Sequence, residues 1–270
     1  VKETSDFGAY APKGARAGLI TLSRHTVLGR GALRHWLWRR LAIGEDEAVD
    51  IMVGPVKMRL YPASNSVEQK LLQRPEKYCP QELAALNEVL GPTGRFVDIG
   101  ANIGAFSLPL AAGFPHRRIL AVEPNPAANG RLLFNKAANG LDNMVIDVSA
   151  LSEKAGVVSF TADPKDLKLS GINPPHGKGA SIEVPTKPLA ALLQEYDMQS
   201  PEALKIDVEG HEDKILLPFF RQTDKNKWPR FIVIEAIKRE GLPGSIDFML
   251  ANGYGETFRN RANRGFALGG

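Results

Sequence analysis

Phe96-Val97-Asp98-Ile99-Gly100-Ala101-Asn102-Ile103-Gly104 is the stretch on which the fold turns. A short apolar run bounded by turn residues reads as a strand buried on both faces. Gly100 and Gly104 then permit a sharp turn and a close backbone approach. Ile103, Phe106 and Leu110 give the next helix its buried face, and the helix N-terminus offers free N–H groups. Outward from this point the pattern repeats. Strands are expected at 119–122, 144–148, 204–208 and 231–235, with helices at 125–138, 188–196, 211–217 and 246–252. Pro218 should stop the third of these helices, and Gly253 follows the last. Shorter strands at 157–160 and 181–184 flank a loop, 163–180, that contains Pro164, Pro174, Pro175, Gly177 and Gly179. Two closing strands fall near 256–259 and 265–268. Strand and helix alternation of this kind implies an α/β fold, Rossmann-like and doubly wound, with a mostly parallel seven-stranded sheet.

The residues before this region read as an N-terminal extension, 1–75, ahead of a domain at 76–270. Residues 1–17 are small and polar and are expected to be loose. Lys13, Arg16, Arg24, Arg30, Arg34, Arg39 and Arg40 occur without an intervening acid, which suits a solvated, partly disordered basic leader. Residues 31–43 have helical spacing and carry Trp36 and Trp38. The spacing favours a helix packed on its own domain over one lying on a membrane surface. Residues 56–61 alternate and read as an edge strand or hairpin arm. Leu83, Leu86 and Leu90 mark a helix over 81–90 that Gly91-Pro92 ends.

In doubly wound sheets ligands bind beyond the carboxyl ends of the strands. Asp98 and the glycines stand at the first such end. Glu123, about 20 residues further on, stands at the second, where an acid accepts ribose hydroxyls. Pro124 opens the following helix, and Ser149 lies at the third strand end, beside where an adenine would sit. The bound nucleotide could be NAD, ATP or S-adenosylmethionine. Asn102 replaces the middle glycine of a dinucleotide fingerprint, and no phosphate loop occurs. A carboxylate at Asp98 would repel a pyrophosphate and attract a ligand bearing an ammonium and a sulfonium, at roughly 4 kcal/mol for a pair 4 Å apart in an effective dielectric near 20. Charge sign therefore favours S-adenosylmethionine, bound by Asp98, Gly100, Asn102, Gly104, Glu123, Pro124 and Ser149.

Bulk properties narrow the class. The chain has 270 residues, 43% hydrophobic and 24% charged, with a net charge of +4. No apolar run approaches the roughly 18 residues needed to cross a bilayer. The single cysteine, Cys79, excludes a disulfide framework within one chain, and a cytoplasmic location is the default expectation. The residues give no reading of oligomeric state.

Four blocks carry a family resemblance. They are the opening stretch 96–104, Val122-Glu123-Pro124, Ala150-Leu151-Ser152 with Gly156, and Leu204-Lys205-Ile206-Asp207-Val208-Glu209-Gly210-His211-Glu212. With these, residues 75–255 resemble the FkbM family of methyltransferases. Tyr78-Cys79-Pro80 with Glu82 is similar to the family's Tyr-Glu-Pro segment, with Cys79 in place of the usual Glu. The resemblance implies a sheet of the class I methyltransferase type, S-adenosylmethionine as cofactor, and O-methylation of a hydroxyl on a sugar, glycolipid or natural product.

An alcohol is a weak nucleophile, so a general base is expected. The fourth strand end supplies Asp207, Glu209 and His211 as the catalytic candidates. His211 opens a helix, where the dipole keeps imidazole unprotonated. Glu212 stabilises that helix or joins the site. Asp207, Glu209 and Glu235 also have the chemistry to hold magnesium, although the reading adopted is metal-free. The alternatives are an RNA methyltransferase that uses the basic leader and a NAD-dependent oxidoreductase. The absence of aromatic-basic interleaving and the small net charge weigh against nucleic acid.

Overall fold

The computed structural model describes residues 5–26, 36, 38–162, 170–172, 180–236 and 243–269. The chain enters through α1 (Gly14–His25), a hairpin of β1 (Val49–Val53) and β2 (Val56–Leu60), then α2 (Ser66–Gln73) and α3 (Pro80–Leu90). Strand-helix units follow: β3 (Arg95–Ile99), α4 (Ser107–Gly113), β4 (Arg118–Val122), α5 (Pro126–Asn139) and β5 (Met144–Asp147). A side sheet is formed by β6 (Ala150–Leu151), β7 (Gly156–Ala162) and β8 (Ala180–Lys187). The chain then returns through α6 (Leu189–Glu195), β9 (Ala203–Ile206), α7 (Glu212–Gln222), β10 (Phe231–Glu235), α8 (Gly244–Ala251), β11 (Tyr254–Arg259) and β12 (Asn263–Leu268).

The main sheet has seven strands in the order β11-β12-β10-β9-β3-β4-β5. The five strands from β10 to β5 are parallel, and β12 runs antiparallel to both its neighbours. Strand order reverses between β3 and β9, so the carboxyl ends of β3, β4 and β9 open one crevice. Alternate residues feed two cores. Phe96 packs with Leu108 and Leu132 on one face, while Val97, Ile99 and Leu204 pack with Leu216 and Phe219 on the other.

The N-terminal segment adds to the first core, since Ile20, Val49, Met58, Leu60 and Leu72 belong to the same buried cluster as Phe96. The expectation of a loose 1–17 and a disordered leader is corrected here for the described residues. The buried Asp50 carboxylate accepts the N–H groups of Gly8 (2.7 Å) and Tyr10 (3.1 Å) and pairs with Arg59 at 2.7 Å. Arg59 also donates to the carbonyls of Ser5 and Asp6. A buried charge pair satisfied by backbone groups pins the turn segment that supplies them. Two of the leader's arginines are likewise engaged within the chain. Arg24 donates to the carbonyls of Leu72 and Met52, and Arg16 pairs with Glu47. Of the expected helix over 31–43, residues 36 and 38–41 are helical, and 31–35 and 37 lie outside the described residues.

Two local expectations change. Residues 102–106 form turns, so α4 begins at Ser107 and its N-terminus stands away from Gly100. Helix α7 continues through Pro218 to Gln222. Proline in a helix interior costs about 3 kcal/mol. Ile215, Leu216, Phe219 and Phe220 are all buried, and Phe220 stacks on Phe248 at 5.6 Å. Burying two aromatic side chains at about 1.5–3 kcal/mol each outweighs the lost hydrogen bond.

Candidate active site

A cavity runs along the carboxyl ends of β10, β9, β3 and β4, and its wall includes Gly100, Asn102, Glu123, Pro124, Ser149, Asp207, Glu209, His211 and Glu235. Sheet order fixes their sequence in space. Glu235 ends β10, Asp207 follows β9, Gly100 follows β3, Glu123 follows β4 and Ser149 follows β5.

At the β4 end, Glu123 is buried. Its two oxygens accept the backbone N–H groups of Asn102 (2.7 Å) and Asn125 (2.9 Å). Burial nevertheless pushes its carboxyl up to about 7. Asn102 adopts a left-handed backbone (φ +52°), with its side chain accepting from Asn65 at 2.8 Å. A Cβ on Gly100 would fall 2.0 Å from the Asp207 carbonyl, so only glycine lets β3 and β9 approach here. Ser149 is set by its N–H bond to Asp147, whose carboxylate is further held by Tyr196 and Lys187. Phe160, Ser170 and Ile172 complete this end, and Asn125 donates to Ser170 at 3.0 Å. The described part of the 163–180 loop therefore stands beside the Glu123 end of the cavity; residues 163–169 and 173–179 lie outside the described residues.

Two expected cofactor residues are placed elsewhere. Asp98 lies behind the cavity wall. It is fully buried, accepts a 2.5 Å bond from the Ser107 hydroxyl, and sits 3.5 Å from the Lys205 ammonium. Its charge is met by the protein's own cation, and the carboxylates on the wall near Lys205 are those of Asp207, Glu209 and Glu235. Gly104 serves packing: a Cβ there would come within 2.8 Å of Leu108 and Leu132 atoms.

The β9 end gathers Asp207, Glu209 and His211 on the cavity wall. Glu209 takes a left-handed backbone (φ +52°), unusual for a side chain larger than glycine, and Gly210 follows at φ +93°. Glu212 anchors this turn. Its carboxylate is buried and accepts the N–H groups of Val208 (3.1 Å) and Gly210 (3.4 Å), which makes it a scaffold residue. Asp207, Glu209 and Glu235 each bring an oxygen within 4.8 Å of one another, the ligand chemistry of a hard divalent cation. Lys205 Nζ stands 3.8 Å from Asp207 and balances part of that charge. His211 Nε2 lies 3.2 Å from the Ser152 hydroxyl. Burial, and then the nearby Lys214 charge, lowers the imidazole below its ordinary value, leaving it neutral at pH 7.

Sequence reasoning missed Lys205 as a wall residue, although a lysine between Leu204 and Ile206 on a buried strand is itself a signal. It also missed Asn263, which lines the far end and donates 2.6 Å to Glu82. Cys79 lines the wall as a neutral thiol, since burial pushes its pKa up to about 12.

The chain is similar to known methyltransferases. The methyltransferase FkbM domain matches residues 98–256. Methyltransferase sdnD of Sordaria araneosa is 28% identical over 204 residues, 63% of this chain and 77% of that protein. 31-O-demethyl-FK506 methyltransferase FkbM of Streptomyces tacrolimicus is 27% identical over 199 residues, 62% of this chain and 74% of that protein. Hexuronic acid methyltransferase AglP of Haloferax volcanii is 29% identical over 120 residues, 44% of this chain and 47% of that protein. With the domain matching more than half of its length, the chain belongs to the FkbM family of methyltransferases.

Proposed function

We propose that the chain is an O-methyltransferase that uses S-adenosylmethionine to methylate a hydroxyl of a sugar, glycolipid or natural product. The observation that carries this reading is the division of the cavity. A buried carboxylate suited to ribose hydroxyls, Glu123, lies at one end, and proton acceptors, Asp207, Glu209 and His211, lie at the other. The names of two relatives, which refer to a 31-O-demethyl compound and to a hexuronic acid, support an oxygen-bearing acceptor.

The wall fits this cofactor. Glu123 would accept the ribose hydroxyls, Gly100 and Asn102 would line the path of the methionyl arm, and Pro124, Ser149 and Phe160 would surround the base, since all of them line the cavity. When bound, S-adenosylmethionine supplies a methyl group on a cationic sulfur, open to in-line attack by an oxygen nucleophile. The protein's own residues align the hydroxyl, remove its proton and exclude water. Alignment alone reaches effective molarities of roughly 10⁵ M or more. The proton passes to a carboxylate oxygen of Asp207 or Glu209, or to the neutral imidazole of His211. The same carboxylates would draw the cationic sulfonium into the site by charge.

The test is a methyl-transfer screen against sugar and natural-product acceptors, read as S-adenosylhomocysteine release and located by NMR of the product. An O-methyl product supports the reading. Transfer to nitrogen or carbon, or to RNA in preference to every small acceptor, overturns it.

A further inference from the structure

Lys205 has no part in the proton chemistry above, yet it places a cation on the wall between the glycine loop and the carboxylates. It is the third residue of β9, 5% exposed, and lines the cavity. Its ammonium donates 2.9 Å to the Gly100 carbonyl, stands 3.5 Å from Asp98 and 3.8 Å from Asp207, and lies over the Phe106 ring. Apolar residues of similar volume are often at least as stabilising as a buried ion pair. Stability alone therefore gives little reason for a lysine at the centre of the sheet.

Its position does give one. With ribose at Glu123 on β4, the next part of the ligand along the sheet edge crosses β3 toward β9, where the α-amino-acid end of S-adenosylmethionine falls. That end is a zwitterion, and Lys205 and Asp207 present one positive and one negative group side by side on the wall. We propose that Lys205 binds the cofactor's carboxylate while Asp207 binds its α-ammonium, with Asp98 holding Lys205 from behind, which leaves the hydroxyl's proton to Glu209 or His211. This deepens the cofactor reading above and rests on it.

The test is equilibrium calorimetry with three probes and no turnover. S-adenosylhomocysteine carries both charges, its decarboxylated analogue keeps only the ammonium, and 5′-methylthioadenosine has neither. Wild-type protein is expected to bind S-adenosylhomocysteine at least about tenfold more tightly than the decarboxylated analogue. Lys205→Met should abolish that preference and leave methylthioadenosine affinity within about twofold. Asp98→Asn with Lys205→Met removes both buried charges, and it should show the same pattern if the single variant fails to fold. Equal weakening of all three probes marks a merely structural lysine and overturns the proposal. So does a wild type that does not distinguish the first two probes. Failure of every probe to bind wild-type protein defeats the cofactor reading itself.

Discussion

Acidifying the protein from pH 8 to pH 6 should weaken its hold on S-adenosylhomocysteine about tenfold, through Glu123 alone. Burial raises this carboxyl from its ordinary 4.5 to about 7, even though two backbone N–H groups donate to it. Ribose hydroxyls bind the ionised form, so the bound state pulls the proton off. If the bound carboxyl titrates at or below roughly pH 5, linkage gives the tenfold loss and about 0.8 proton released per ligand at pH 6. Calorimetry at pH 6 in two buffers of different ionisation enthalpy counts that proton directly. Glu123→Gln should remove the pH dependence. It should also weaken binding at pH 8 by about ten- to a hundredfold, the loss of a charged hydrogen bond worth roughly 1.5–3 kcal/mol. The sign for stability follows from the same shift. The fold favours the protonated acid, so the ligand-free protein should lose stability, on the order of 3 kcal/mol at most, as pH rises from 4.5 to about 7. An affinity that is flat between pH 6 and 8, or a Gln variant with the wild-type slope, refutes the assignment of Glu123 to the ribose.

Further outcomes follow from the β9 turn. Glu209→Gly should raise the urea midpoint, by about 0.5–1 kcal/mol in stability, because glycine relieves a left-handed backbone. The same change should cut turnover by about a hundredfold or more if Glu209 handles the proton; a loss of stability would contradict the strain. Glu212→Ala strands the N–H groups of Val208 and Gly210 and should cost about 2 kcal/mol in denaturant unfolding. Turnover should survive EDTA, since Lys205 offsets charge beside Asp207. Activity lost on chelation and restored by magnesium would instead make Asp207, Glu209 and Glu235 its ligands.

The central strands were legible because their registers are written in apolar runs. Residues 231–235 coincide with β10, and 119–122 fall within β4. Strand ends are where ligands bind, so the sequence alone puts Gly100, Glu123 and Asp207 on one crevice. Which way a side chain turns at such an end depends on its partners in space. Asp98 looked like a cofactor contact because Lys205 is distant in sequence and close only across β3 and β9. The order of residues 5–10 is hidden from sequence for the same reason, since Asp50 and Arg59 hold them from far along the chain. Pro218 was read locally as a stop, while the aromatic cluster of Phe220, Trp228 and Phe248 decides otherwise.

A crystal structure of the complex with S-adenosylhomocysteine tests the central claim most directly. The account predicts ribose hydroxyls within hydrogen-bond distance of Glu123, about 2.6–3.2 Å, the base beside Ser149 and Phe160, and the sulfur facing Asp207 and Glu209. A ligand lying the other way, with its base toward Glu235, or bound outside this cavity, would contradict it.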